Sequence, residues 1–189
     1  MKIKLLKFKS VNSTNDIALD LIKRNKFKPT LISAEQQIKG RGTMGKKWVS
    51  KKGNLYLTIY FEINQKKINF KHYAVLNAYL LKYIIRKNYS DQVQIKWPND
   101  LLIKKKKICG ILQEVLKNGK KNFLIIGIGI NTNFNPITKQ FNSISLKDIT
   151  KKKINNKKLL ENIKKEYENL LRRLKKYSFK ELKKYINNL

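Results

Sequence analysis

Cysteine occurs once in this chain of 189 residues, at Cys109, and histidine once, at His72. A lone thiol excludes an internal disulfide, and no Cys/His cluster exists to hold zinc. Long apolar runs are missing too. The longest, FLIIGIGI at Phe123–Ile130, is far short of the roughly 20 residues a membrane-spanning helix needs. The N-terminal MKIKLLKFKS alternates lysine with apolar residues and offers no continuous apolar core of a secretion signal, so a cytoplasmic protein without membrane contact is expected. Arginine is scarce: only Arg24, Arg41, Arg86, Arg172 and Arg173 among 44 basic residues, against 12 acidic ones and a net charge of +32. Such a charge points to nucleic acid or an anionic surface. The lysines, however, are spread over nearly every segment beside abundant Asn and Ile, as compositional drift would leave them. His72 stands in a helical pattern and reads as a helix-surface or packing residue.

What is present orders itself into one domain over 1–189, long enough to bury roughly 70% of its unfolded surface. A first strand is expected at Ile3–Phe8. A helix follows from an N-cap at Ser13, with Asp16 three residues on and Ile17, Leu21 and Ile22 at helical spacing. Strands are expected at Thr30–Gln37 and Asn54–Ile63, and a longer helix over Phe70–Asn88 with Tyr73, Leu76, Leu80, Tyr83 and Ile84 on one face. QVQIKW and DLLIK read as short strands, and Ile108–Leu116 with Asn122–Asn131 as a hairpin around Asn118-Gly119. Phe134–Asn155 reads as loop with short elements. Two helices close the chain, one with a stripe of Leu159, Ile163, Tyr167, Leu170, Leu171 and Leu174, the other with Phe179, Leu182 and Ile186. There are no internal repeats, and the lysine runs 104–107 and 151–153 read as solvated turns. The predicted class is α+β, a mixed sheet flanked by helices.

GRGTMGKKW at Gly40–Trp48 satisfies G-x-G-x-x-G and misses the P-loop pattern by its last residue, Lys47. Both signatures require a helix next, whose N-terminal amides hold phosphate. The next segment instead alternates Leu55, Leu57, Ile59 and Phe61 with Tyr56, Thr58, Tyr60 and Glu62, which is strand chemistry. The loop therefore joins two strands, and neither stock reading applies.

Four more stretches resist a purely structural reading. SVNSTND sets hydroxyl and amide side chains at a helix start, serving capping or ligand binding. KWPND places Pro98 where a strand must leave its ladder. KKICGILQE puts Lys107 before the small Cys109 and Gly110, and GIGINTN repeats small residues at Gly127 and Gly129 before Asn131. In their order and spacing, STN, GRGxxGxxW, KWPND, KxxGIL and GxGIN resemble the catalytic domain of biotin protein ligases (biotin–[acetyl-CoA-carboxylase] ligases), over roughly Lys7–Asn133 and more weakly beyond.

The resemblance implies the class II aminoacyl-tRNA synthetase-like fold of that family. It also implies ATP-dependent activation of biotin to biotinoyl-AMP, with Mg²⁺, followed by transfer to one lysine of the biotin carboxyl carrier protein of acetyl-CoA carboxylase. Lys107 and Arg41 are then the expected charge-neutralising catalytic groups, and Asp100 the acid near the incoming lysine. Ser13, Thr14, Asn15, Gln37, Gly40, Arg41, Gly42, Lys107 and Gly110 are expected around biotin; Arg41, Trp48, Asn54 and Asn131 are expected around the nucleotide. GRGTMGKKW becomes a lid over the adenylate. No particular metal ligand is implied. The pattern departs from the family in three ways: no room precedes Ser13 for a winged helix-turn-helix, no SH3-like barrel follows the helices, and the lid carries Thr43 and Lys46 where Arg is usual. The nearest alternatives are a lipoate or octanoate–protein ligase of the same superfamily, and a basic nucleic-acid-binding protein. For the latter the dispersed lysines give no face, and no sequence-specific DNA binding is expected.

Overall fold

The computed structural model describes residues 2–64, 68–136, 142–174 and 176–187. Seven strands form one mixed sheet: β1 (Lys4–Val11), β2 (Thr30–Gln37), β3 (Leu55–Ile63), β4 (Gln94–Lys96), β5 (Asp100–Ile103), β6 (Lys106–Asn118) and β7 (Lys121–Ile130), in the spatial order β1-β2-β3-β7-β6-β5-β4. Only β1 and β2 run parallel. That pairing needs a crossover, and α1 (Thr14–Lys23) supplies it. The other helices are α2 (Phe70–Asn88), α3 (Leu146–Thr150), α4 (Asn156–Leu174) and α5 (Phe179–Asn187).

The two faces of the sheet are covered unequally. Leu55, Leu57, Ile59 and Phe61 of β3 join Ile126, Ile128 and Ile130 of β7 in the larger core, with Leu76, Leu80 and Ile84 of α2 and Leu159, Ile163 and Tyr167 of α4. On the opposite face a smaller core gathers Ala18 and Ile22 of α1 against Ile32, Tyr60, Phe123 and Ile125. The alternation in β3 thus separates two buried faces rather than core from water. Tyr56 and Tyr60 are accommodated because their hydroxyls donate to the carbonyls of Lys51 and Lys26, at 2.8 and 2.7 Å. The part of this second face that α1 leaves uncovered carries the site.

Most expected elements are found, with shifted ends. β1 runs on to Val11, since pairing with β2 continues to the register pair Val11 and Gln37. β3 starts at Leu55, where pairing with β7 begins at Ile130, and the Asn54 carbonyl accepts from the Asn156 side chain instead. Ser13 is the N-cap of α1 and accepts from the Asn15 amide at 3.3 Å, whereas Asp16 turns away to pair with Arg41. The loop expected over Phe134–Asn155 contains α3, which is held by a capping box between Ser145 and Asp148; residues 137–141 of that segment lie outside the described residues. The stripe of α5 is met at Leu182, which is buried, and the Ile186 side chain lies outside what is described. His72 stacks on Phe179 with ring centroids 3.8 Å apart, a packing role.

Candidate functional site

The floor of the site is a patch of sheet with three glycines at its centre. In register, Gly110 of β6 faces Gly129 of β7, which faces Tyr56 of β3; one step along, Leu112 faces Gly127, which faces Thr58. Period two puts these residues on the α1 side of the sheet. A Cβ on Gly129 would stand 2.3 Å from Trp48 Nε1, one on Gly110 2.7 Å from Trp48 Cζ3, and one on Gly127 2.4 Å from Asn15 Oδ1. The glycines therefore make room for the Trp48 indole and the Asn15 amide. The indole lies across Gly110 and Gly129.

The segment Gly40–Trp48 joins β2 to β3 as a small hairpin-like lid. Arg41 bridges to Lys47, Gly42 N–H donates to the Lys46 carbonyl at 2.7 Å, and Trp48 N–H to the Gly40 carbonyl at 2.9 Å. The turn passes through Met44 and Gly45 with φ of 56° and 72°, where glycine carries no Cβ penalty and Met does. Gly40 has a purely local reason to be glycine: its Cβ would meet the Trp48 carbonyl oxygen at 2.3 Å.

Polar groups converge at the edge of this floor from four elements. Ser13, Thr14 and Asn15 come from the start of α1, Gln37 from the end of β2, Thr58 from β3 and Glu114 from β6. Gln37 Oε1 accepts from the Thr14 N–H at 2.8 Å, and Gln37 Nε2 donates to Ser50 Oγ at 2.9 Å. Lys107, at the mouth of β6, reaches back over the site. Its Nζ lies 2.7 Å from Asp100 Oδ1 and 5.1 Å from the centre of the Trp48 ring. The side chains of this ion pair are 14% and 18% exposed, so the two charges interact with little screening. Below them, burial first and the Asp100 charge second push the Cys109 thiol up, leaving it an inert core residue. Burial likewise raises the Tyr56 phenol, so the floor stays uncharged.

One cavity of about 40 Å³ collects Ser13, Thr14, Asn15, Gln37, Arg41, Gly42, Trp48, Lys107 and Gly110 of the predicted site residues. Asp100 adjoins it through Lys107. Gly40 borders a separate surface depression along the lid. Asn54 and Asn131 do not line the cavity. Asn54 accepts from the N–H groups of Asn133 and Phe134 at 2.9 and 3.1 Å, and Asn131 donates to the Lys107 carbonyl at 3.2 Å, with its Oδ1 buried and without a hydrogen bond. Asn131 thereby helps fix the backbone that presents Lys107, as do the Lys107 N–H bond to Asn142 and the Ile144 N–H bond to the Lys107 carbonyl. A volume of this size holds a few waters, not a bicyclic ligand, so admitting one requires the lid or the indole to move.

Sequence reasoning gave Glu114 no role and named Asp16 and Thr58 only as helix-start and strand residues; it quoted Asn99 within KWPND and noted Thr43 as a departure in the lid. The last two meet across the mouth, where Asn99 Nδ2 lies 3.4 Å from Thr43 Oγ1. The signal for Glu114 was present: counting by twos from Gly110 through Leu112 puts Glu114 on the same face. Among the described residues no group of three or more His, Cys, Asp or Glu side chains is placed to hold a metal, and no helix is long and apolar enough to cross a membrane.

Fold and site together define a class: an α+β domain whose sheet carries a lidded, glycine-floored pocket with a half-buried Lys–Asp pair at its mouth. The family model described as Biotin/lipoate A/B protein ligase family matches residues 7–131, and the chain belongs to that family. It is 37% identical over 123 residues to the bifunctional ligase/repressor BirA of Escherichia coli, covering 64% of this chain and 38% of that protein. To BirA of Bacillus subtilis it is 34% identical over 128 residues, covering 67% and 39%. The chain thus spans less than two-fifths of the length of these curated relatives. The solved biotin protein ligase of Aquifex aeolicus in complex with biotin and ATP superposes with a TM-score of 0.79 at 32% identity, over 97% of this chain and 76% of that one. A lipoate complex of LipL1 from Plasmodium falciparum, at TM-score 0.55 and 15% identity, shares the fold alone.

Proposed function

We propose that this chain is an ATP-dependent biotin–protein ligase. Its reaction joins the biotin carboxylate to the α-phosphate of ATP with loss of pyrophosphate, then passes the biotinoyl group to a lysine amine of a carboxyl carrier protein with loss of AMP. The observation that carries the reading is the gathering of Thr14, Asn15 and Gln37, the lid and Lys107 around one cavity. Amide and hydroxyl groups at its inner end suit a ureido group, which offers both donors and an acceptor. The Lys107 ammonium at its mouth suits two anions that must meet there, since a fixed cation in a site of low dielectric stabilises charge moving onto the leaving group. Asp100, held 2.7 Å from Lys107 Nζ, is the acceptor positioned to take a hydrogen bond from the arriving amine. Trp48 offers a flat apolar surface beside the same lysine, suited to an adenine ring or the apolar biotin tail.

Mg²⁺ enters this reading with the ATP phosphates, as the nucleotide's counter-ion. The described residues do not fit a resident metal, since the acid nearest the reacting groups is already paired with Lys107. The carrier protein as acceptor and a cytoplasmic setting belong to the same proposal. The test is exchange of labelled pyrophosphate into ATP, measured with biotin and with lipoate as the added acid. Biotin-dependent exchange is expected, and equal or greater exchange with lipoate would replace this reading with the lipoate one.

A further inference from the structure

Arg41 is the first charged side chain of the lid, and in this structure its guanidinium is engaged by protein carboxylates. Nη1 donates to Glu114 Oε1 and Nη2 to Glu114 Oε2, both at 2.9 Å, and Nε lies 3.0 Å from Asp16 Oδ1. This is the forked, two-bond geometry in which Arg–carboxylate pairs are strongest and most directional. Glu114 Oε2 also accepts from Asn15 Nδ2 at 2.6 Å. From Asn15 the contacts continue without a gap. Thr58 Oγ1 lies 2.5 Å from Asn15 Oδ1 and 2.7 Å from Thr14 Oγ1; the Thr14 N–H donates to Gln37 Oε1, Gln37 Nε2 to Ser50 Oγ, and Ser50 Oγ to the Trp48 carbonyl at 2.9 Å. Each hydroxyl carries one proton: Thr58 gives its proton to Asn15 Oδ1, and the single Thr14 proton is shared between Thr58 Oγ1 and Gln37 Oε1, which lies 3.0 Å away. The path leaves one end of the lid at Arg41, crosses the pocket wall through β6, α1, β3 and β2, and returns to the other end at Trp48.

We propose that Glu114 is a positioning residue that latches the lid through Arg41 and, through Asn15, ties lid closure to the polar groups of the pocket. Arg41 on this account acts as the latch and not as the cation that neutralises phosphate, a task left to Lys107. The pair is partly exposed, Arg41 at 36% and Glu114 at 26% of their side chains, so it can open without unfolding the sheet. For its effect on catalysis the inference rests on the ligase reading; for its effect on the lid it does not.

Hydrogen exchange of the ligand-free chain separates the two. In Glu114→Gln the peptide spanning 40–50 should exchange about tenfold faster, the factor that ~1.4 kcal/mol represents, while the α2 peptide stays at its original rate. Local opening in this regime tracks the population of the open lid. Arg41→Gln should do at least the same, since it also loses Asp16, and the double variant should exchange no faster than Arg41→Gln alone, because that substitution already removes the contact to Glu114. If Glu114→Gln fails to fold, Arg41→Gln and Asp16→Asn carry the measurement from the exposed side. In pyrophosphate exchange both latch variants should raise the KM for biotin with kcat within a few-fold. Unchanged exchange of the 40–50 peptide in the latch variants overturns the latch. A loss of kcat beyond a hundredfold in Arg41→Gln, with Glu114→Gln fully active, returns Arg41 to the phosphates. Absence of biotin-dependent turnover in the unmodified chain would sink the ligase reading alone and leave the exchange result to decide the latch.

Discussion

The most informative single atom to add is a methyl at Gly129. The residue lies in β7 with no positive φ, so alanine there incurs no backbone strain, and whatever happens is steric. Its Cβ would stand 2.3 Å from Trp48 Nε1 and 2.4 Å from Cε2, so the ring must retreat by about 1 Å or more to regain ordinary contact. Overpacking of this kind costs about 1–3 kcal/mol when the surroundings are rigid. The surroundings are not rigid on the lid side, and the cost is capped by the free energy of docking the lid. At ~2–4 °C per kcal/mol for a chain of this size, the melting temperature of Gly129→Ala should fall by a few degrees at most, while Trp48 leaves its seat. Trp48 and Trp97 are the only tryptophans, so in a Trp97→Phe background the emission of Trp48 should shift to the red. Pyrophosphate exchange should fall with it. Gly119→Ala is the matched control: it sits at φ +58° in the β6–β7 turn with nothing within 4 Å of its Cβ, so it strains the backbone by about 1–2 kcal/mol and should leave Trp48 emission untouched. If Gly129→Ala keeps both the original emission and full exchange, the indole does not rest on Gly129 and the account of the floor is wrong.

Replacing Lys107 by Met should remove most pyrophosphate exchange with circular dichroism unchanged, and wild-type exchange would take Lys107 out of the mechanism. Glu168 is half-buried, and its partial desolvation raises its pKa, but the Ile3 N–H and Lys164 together outweigh this and hold the carboxyl below its ordinary 4.5. A depressed acid stabilises the fold above its unfolded pKa and loses that contribution as pH falls through the folded one. Acid melts below pH 4.5 should therefore be shallower for Glu168→Gln than for the parent, and parallel curves would refute the assignment. Thr43 faces the mouth beside Asn99, and Thr43→Arg should slow escape of labelled biotinoyl-AMP by about tenfold or more, as one added charge-assisted hydrogen bond of ~1.5–3 kcal/mol allows. Equal release rates would show that the lysines of the lid already hold the adenylate or that the lid does not.

How far the sequence could be read depended on whether a feature was local. The hairpin of β6 and β7 turns at Asn118-Gly119, where Gly119 takes φ +58° as a two-residue turn requires, and the helical stripes of α2 and α4 were legible from spacing alone. The rejection of a P-loop was also local, because the strand after GRGTMGKKW declares itself by period two. The order β1-β2-β3-β7-β6-β5-β4 was not legible, since β3 and β7 are 59 residues apart at their closest paired ends, Ile63 and Asn122, and pairing at that distance leaves no trace in either strand. Trp48 illustrates the same limit inside the site. Its presence in a motif marked it for the ligand; that it would lie over two glycines from β6 and β7 depended on their register.

Glu114 shows where sequence and structure meet. A glutamate in a strand reads as a solvent-facing residue, and the parity that places it beside Gly110 became meaningful only once a pocket was known to lie on that face. With Arg41 alone in view, chemistry assigns the arginine to phosphate, because a cation in a glycine-rich loop has few other uses. With Glu114 and Asp16 at 2.9 and 3.0 Å from it, the same guanidinium is already neutralised on two sides, and a phosphate would have to displace both carboxylates to reach it. Lys107 pairs with Asp100 at the mouth, where on the ligase reading the second substrate arrives. An incoming amine that draws Asp100 toward itself would leave the lysine's charge less compensated at the moment the anions need it. The placement of the two cations, Arg41 tied from the lid to α1 and β6 and Lys107 held at the mouth, separates one that fastens the lid from one that can act on a ligand.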